Sequence, residues 1–414
     1  MKTNKEYLLK RIACAVLALV TAGCCASCNL DTVHKEVRQF FGGFSAGPSA
    51  NTSSEPASSQ MVPEESRTPS VSSVPEGMVP VGKTHTEYYF QHLSTAQQQD
   101  YATLLAAISA HEETAVTSSN ESEDVFAVMR ALYYDHPELF WLLNGGGEFY
   151  SYTNRGEYHF TYLHTAGSLS AMQAELEAAA AGFLETVPEN ATEYQRVQMV
   201  FEYLVDHIEY DLETENSGNI YGALVEGRAR CEGYARAAQY LLNRLGVFCT
   251  YVAGECYSSG SHAWNLIQVD GSYYYMDVTW GDPSFLGEGP GIEQYRNYSY
   301  LCATTQEILA TRTIDETYAP MPVCDATQYN YFRQNGLFVD QSLDQAKTAL
   351  QQQYQAGKRW IPLQFASVTL YEQARKELIE GQGLYTVMDA AGASLTGYSY
   401  LQNEQLRTLT FIFS

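Results

Sequence analysis

The stretch "GSHAWNLIQVDGSYYYMDVTWGDP", which begins at Gly260, constrains the fold more than any other part of the chain. Asp270-Gly271 is a strong hairpin signal, because a two-residue turn of this kind needs φ above zero at both positions and few residue pairs adopt it readily. Apolar and aromatic residues flank it on both sides. With Asp270 and Gly271 as the two loop residues, Val269 faces Ser272, Trp264 faces Asp277 and His262 faces Thr279. His262 and Asp277 are then diagonal neighbours on one sheet face, within reach of a hydrogen bond. A three-residue bulged loop would change that parity. An Asp so placed orients the imidazole and stabilises its charged form.

The preceding segment supplies a candidate nucleophile. In "GRARCEGYARAAQYLLNRLG" the apolar positions Tyr234, Ala238, Leu241, Leu242 and Leu245 follow helical spacing, and Gly246 suits the stop. Cys231 therefore opens a helix, where unpaired N–H groups and the macrodipole favour a thiolate. A buried structural cysteine is the commonest alternative for a free thiol. "VFCTYVAGEC" reads as a further strand. Cys231 at a helix start, with His262 and Asp277 on adjacent strands, fits a thiol-enzyme constellation.

"YDLETENSGNIYGALVEGRARCEGYARAAQYLLNRLGV" followed by "SHAWNLIQVDGSYYYMDVTWGDP" resembles the core of the transglutaminase-like superfamily. The bacterial form, related to the transglutaminase/protease-like cytokinesis proteins, is the nearer pattern, and the similarity runs from Tyr210 to Pro283. The resemblance implies an α+β fold with a papain-like core, its Cys-bearing helix packed on an antiparallel sheet and small α/β units on either side. It maps nucleophile, base and orienting acid onto Cys231, His262 and Asp277. The Cys231 backbone N–H is a suitable first oxyanion donor. The side-chain donor that animal transglutaminases place well upstream has no recognisable counterpart, and Tyr221 is the candidate for that role. Trp264 shares the His262 face and is read as a wall of the acyl pocket, with packing as its alternative role. Arg230 stands where the bacterial relatives usually carry a small or aliphatic residue, and either favours the thiolate or points outward.

At 414 residues the chain is too long for one ordinary domain. Lys2, Lys5, Lys10 and Arg11 precede an apolar run from Ile12 to Ala22 that is too short to span a bilayer, so 1–28 reads as an export signal. "LVTAGCCASC" resembles the lipobox of bacterial lipoproteins, with Cys24 the lipidated residue and Cys28 the alternative. The Ser- and Pro-rich segment within 29–82 buries too little apolar surface to fold and reads as a tether. An N-terminal α+β unit is expected over 83–165, the catalytic core over 166–320 and a C-terminal α/β unit over 321–414. Helix starts are expected at Ser94 with Gln97, Thr192 with Gln195, Ser342 with Gln345 and Thr369 with Glu372, each a capping-box pattern.

The balance of 24 basic against 48 acidic residues argues against a nucleic-acid partner, because phosphate binding needs a basic surface. No Cys/His quartet has zinc spacing, and "GNIYGALVEG" lacks the Lys and Gly spacing of a phosphate loop, so no metal or nucleotide cofactor is expected. Cys249, Cys256, Cys302 and Cys324 are available for pairing outside the cell, with no connectivity readable from sequence. The expected protein is extracytoplasmic, lipid-anchored to the cell membrane, and acts on a protein or peptide substrate, the cell wall being one setting for it. Its expected activity is thiol-dependent acyl transfer, as a peptidase, amidase or transglutaminase. The alternative is a catalytically silent surface module that uses the same fold for binding.

Overall fold

The computed structural model describes residues 87–282, 295–393, 395 and 397–413. The export signal, Cys24, Cys28, the tether and Pro283 lie outside the described residues.

Helix α1 (Thr95–Ser109) opens on the expected capping box, in which the Ser94 side chain accepts from Gln97 N–H and the Gln97 side chain accepts from Ser94 N–H. After it come β1 (Thr114–Thr117), α2 (Ser122–Asp135), β2 (Leu142–Ser151) and β3 (Gly156–Tyr162). The three strands form an antiparallel sheet of order β1-β3-β2. Helices α3 (Ala166–Leu184) and α4 (Glu193–His207) follow, α4 starting on the second expected box, between Thr192 and Gln195.

Short β4 (Glu209–Tyr210) pairs in parallel with β5 (Arg228–Ala229), and α5 (Cys231–Arg244) begins directly afterwards. Gly246, at φ 75°, follows the helix end as expected. Strands β6 (Cys249–Cys256), β7 (Gly260–Val269) and β8 (Ser272–Met276), the turn α6 (Val278–Gly281), α7 (Thr305–Leu309) and β9 (Arg312–Ile314) complete the region. Its sheet is antiparallel with order β8-β7-β6-β9, and α5 packs on β6 and β7. This is the α+β arrangement that the sequence led us to expect. One hydrophobic core takes in Leu132, Trp141, Phe183, Phe201, Leu241 and Ile267, so 83–165 and 166–320 share a core across position 165.

Helix α5 is buried on nearly every side from Glu232 to Leu242, which an amphipathic pattern alone does not explain. Its polar side chains serve the end of α2. Arg236 donates to the carbonyls of Tyr133, His136 and Pro137 at 2.6, 2.9 and 3.2 Å, and Gln239 donates to Tyr134 O at 2.8 Å. A helix C-terminus leaves carbonyls without intrahelical donors, and these two side chains supply them. On the other side of the first turn, a Cβ at Gly233 would lie 2.5 Å from Ser217 O and 2.7 Å from Ala229 Cβ, so glycine lets the preceding loop close against the Cys231 end.

The C-terminal stretch has its own core, which includes Val339, Leu350, Leu363, Leu378 and Leu409. It comprises α8 (Tyr331–Gln334), β10 (Phe338–Val339), α9 (Leu343–Gln355), β11 (Trp360–Phe365), α10 (Val368–Ala374), α11 (Gly383–Asp389), β12 (Tyr398–Asn403) and β13 (Thr408–Phe413). The sheet order is β10-β11-β13-β12, with the first pair parallel. One capping box and one helix start differ from the sequence reading. Ser342 is the N-cap of α9, yet neither half of the box forms: Gln345 N–H donates to Ser342 O, and Gln345 Oε1 accepts from the backbone of Asp340 and Gln341. Helix α10 starts earlier than Thr369, since the Ser367 hydroxyl accepts from Leu370 N–H and caps it. Cys249, Cys256, Cys302 and Cys324 are buried free thiols.

Candidate active site

The hairpin turn forms as expected, with Asp270 at φ 47° and Gly271 at φ 78°. Register runs from Val269 opposite Ser272 to Asn265 opposite Met276. There β8 ends. Asp277 leaves the strand to cap α6, its Oδ1 accepting from Trp280 N–H at 3.1 Å. The pairing of His262 with Thr279 therefore does not form, because 278–281 turn into α6. The diagonal approach survives: Asp277 Oδ2 lies 2.8 Å from His262 Nε2. A carboxylate only accepts, so Nε2 carries the proton and Nδ1 is left to the other side of the ring. Both side chains are buried.

A third group that sequence reasoning missed joins them. Arg312, on β9 opposite Cys256, donates through Nη1 to the same Oδ2 of Asp277. It is fully buried, and its guanidinium lies over the rings of Trp264, Trp280 and Tyr300 at 5.2, 5.6 and 4.9 Å. Such faces attract a desolvated cation. Burial alone would raise the Asp277 carboxyl, but His262 and Arg312 outweigh it and hold it at about 2. "ATRTID" gave no sign of this role, since an Arg on a short edge strand reads as exposed.

Trp264 stacks on His262, with centroids 5.8 Å apart and planes 23° apart, while Trp280 meets the imidazole edge-on at 6.5 Å. Trp264 is itself buried, so its place is against the imidazole and the guanidinium. Gly254 on β6, opposite His262, makes room for it, since a Cβ there would lie 2.6 Å from the Trp264 ring.

Cys231 is the first residue of α5, so its N–H has no intrahelical acceptor. The backbone amide of Ala263, next to His262, acts on its sulfur in favour of the thiolate. Part of the residue reaches the surface, yet burial and then the neighbouring Glu232 charge push the thiol up to about 12, against the Ala263 amide and Arg230. This reverses the expectation of a thiolate stabilised by the helix start. Burial is the larger cause and Glu232 the second; that carboxylate is buried and accepts from Asn144 Nδ2 and Arg230 Nε, each at 2.6 Å. Arg230 thus faces a carboxylate as well as the sulfur.

Tyr221 is placed elsewhere. Its hydroxyl donates to Glu175 on α3 and its ring stacks on Phe140 at 5.7 Å. Tyr210 and Tyr251 are both near enough to feel the Cys231 charge, and Tyr210 sits opposite Ala229 in register and 6.4 Å from the Tyr234 ring, where burial and then that charge push its phenol up. Among the described residues, no group of three or more His, Cys, Asp or Glu side chains is arranged to hold a metal.

A helix-borne cysteine packed on an antiparallel sheet, with a histidine of that sheet bonded to an aspartate just past the end of its partner strand, defines an α+β protein of the papain-like kind. The particular family follows from comparison. Residues 183–278 match the transglutaminase-like superfamily, and the chain carries a domain of that superfamily. The kyphoscoliosis peptidases of Mus musculus and Homo sapiens are each 27% identical to it over 115 residues, covering 23% of this chain and 17% of theirs. The chain therefore spans under a fifth of these curated relatives. A crystal structure of a TGase aligns at 14% identity and a TM-score of 0.24, over 38% of this chain and 48% of that one. At the level of the superfamily, the match supports a thiol-dependent function.

Proposed function

We propose that the protein is an exported thiol acyltransferase acting on peptide or glutamine carboxamides through Cys231, His262 and Asp277. The observation that carries this reading is the 2.8 Å contact between His262 Nε2 and Asp277 Oδ2, at the sheet on which the Cys231 helix packs. His262 accepts the Cys231 proton as sulfur attacks the carboxamide carbon. The tetrahedral intermediate collapses, the C–N bond breaks, and the imidazolium returns the proton to the departing amine or ammonia. The thioester passes to water in hydrolysis or to an amine in crosslinking. The Cys231 backbone N–H stabilises the oxyanion. The head is held at the outer face of the cell membrane by lipid on Cys24, and no cofactor takes part.

The test is to incubate the protein with glutamine-containing peptides, with and without a primary amine, and to identify products by mass. Free acid alone indicates hydrolysis, and an amide of the added amine indicates transfer. No product, or product unchanged in Cys231→Ala, sinks the enzyme reading and leaves a binding module.

A further inference from the structure

The geometry points to Arg312 as a positioning residue: by sharing Oδ2 of Asp277 with His262, it fixes the carboxylate that orients the imidazole and divides that carboxylate's charge between two donors. The catalytic consequence rests on the acyl-transfer reading, but the arrangement and its test do not.

A carboxylate facing a histidine on its own stabilises the imidazolium. A base that must take a proton from an un-ionised thiol has to be neutral beforehand. Here the anion is divided. Oδ1 is held by Trp280 N–H, and Oδ2 by both the imidazole and the guanidinium. Arginine cannot resolve the conflict by losing its proton. Nor does the fold give it an exit, since the side chain is buried between three aromatic rings and its strand is paired with β6.

The other titratable groups around the site enter from separate elements. Cys231 and Glu232 come from the start of α5, with Arg230 just before it, Tyr210 from β4, Cys256 from β6 and Tyr300 from the turn Tyr298–Tyr300. The principal charges acting on the Cys231 sulfur are Glu232, Arg230 and Asp277. Arg312 instead contacts the oxygen that binds the imidazole, so its removal acts on His262 more than on the thiol.

The experiment follows iodoacetamide alkylation of Cys231 by peptide mass from pH 5 to 12, in the full chain and in Arg312→Met and Arg312→Lys. In Arg312→Met the undivided carboxylate favours the imidazolium, the thiolate–imidazolium pair forms at lower pH, and the midpoint falls by about one pH unit. Arg312→Lys keeps the charge and stays close to the parent profile. A purely structural arginine would lower stability in both variants and leave the midpoint in place. A midpoint unchanged or raised in folded Arg312→Met overturns the proposal. Should that variant not fold, the 15N resonances of His262, identified by their loss in His262→Gln, decide it in the parent protein. A ring that carries a proton at Nε2 against Asp277 is expected, and one bare at Nε2 overturns it. Neither readout needs turnover, so an inactive protein would sink the acyl-transfer reading without touching this test.

Discussion

Asn144 on β2 donates a 2.6 Å hydrogen bond to Glu232, the residue that follows Cys231. A carboxylate in the first turn of a helix is favourable to the helix and unfavourable to a thiolate beside it. Glu232→Gln retains an oxygen for Asn144, removes the like charge and leaves Arg230 to act on the sulfur. The Cys231 alkylation midpoint should therefore fall by about one pH unit. Helix stability should drop by only ~0.3–1 kcal/mol. Alkylation profiles and urea unfolding of the same variant check both halves, and a midpoint at or above the parent value contradicts the role given to Glu232.

Asp277 links the site to acid stability. Its folded value of about 2 lies below an unfolded carboxyl near ~3.9, so its contribution is fully present above the unfolded value and is lost as pH falls from there through about 2. The difference corresponds to about 2–3 kcal/mol. Asp277→Asn removes that pH dependence and also leaves the buried Arg312 charge without its anion, for a loss of about 3–5 kcal/mol at neutral pH. Asp277→Asn/Arg312→Met should recover most of it. Urea titrations at pH 7 and between pH 5 and 2 decide the matter, and an Asn variant as stable as the parent refutes the ion pair.

What could be read from the sequence was local. Asp270-Gly271 set a register that the strands follow from Val269–Ser272 to Asn265–Met276, and the spacing around Tyr234 placed Cys231 at the start of α5. What could not be read depends on segments brought together by folding. Asn144 and Glu232 are 88 residues apart, and Arg312 meets Asp277 across 35. The thiol expectation reversed because the helix-start argument counted the dipole and left out burial and the adjacent Glu232 carboxylate. The Thr369 start failed for a different reason: Ser367, two residues earlier, can cap as well as Thr can, and propensity does not choose between them.

Gly254 tests the packing beneath the pair. A Cβ there would lie 2.0 Å from Thr313 O on β9 and 2.6 Å from Trp264. Gly254→Ala must shift either the ring that stacks on His262 or the strand that carries Arg312. A loss of about 1–3 kcal/mol is expected from urea unfolding. An alanine variant of unchanged stability would show that β9 is loosely held.

Anchoring is tested apart from the fold, because Cys24 and Cys28 lie outside the described residues. If Cys24 carries the lipid, Cys24→Ala releases the protein from the membrane fraction of the producing cell. Retention in that variant with release in Cys28→Ala moves the modified residue to Cys28.

The last prediction concerns the order of proton transfer. With Cys231 pushed up to about 12, the thiol is un-ionised at neutral pH and needs a base in reach at the moment of attack. His262 is that base on the present reading, so His262→Ala should reduce turnover of a glutamine peptide by ~100-fold or more. The same variant should alkylate as fast as the parent well above the thiol's own midpoint, where hydroxide replaces the imidazole. Cys231→Ala should abolish turnover and alkylation of that peptide together. A general structural failure would instead slow alkylation at every pH and lower stability in parallel. If His262→Ala leaves turnover intact, proton transfer does not run through the imidazole, and the His262–Asp277 pair then holds the hairpin end together without a part in the reaction.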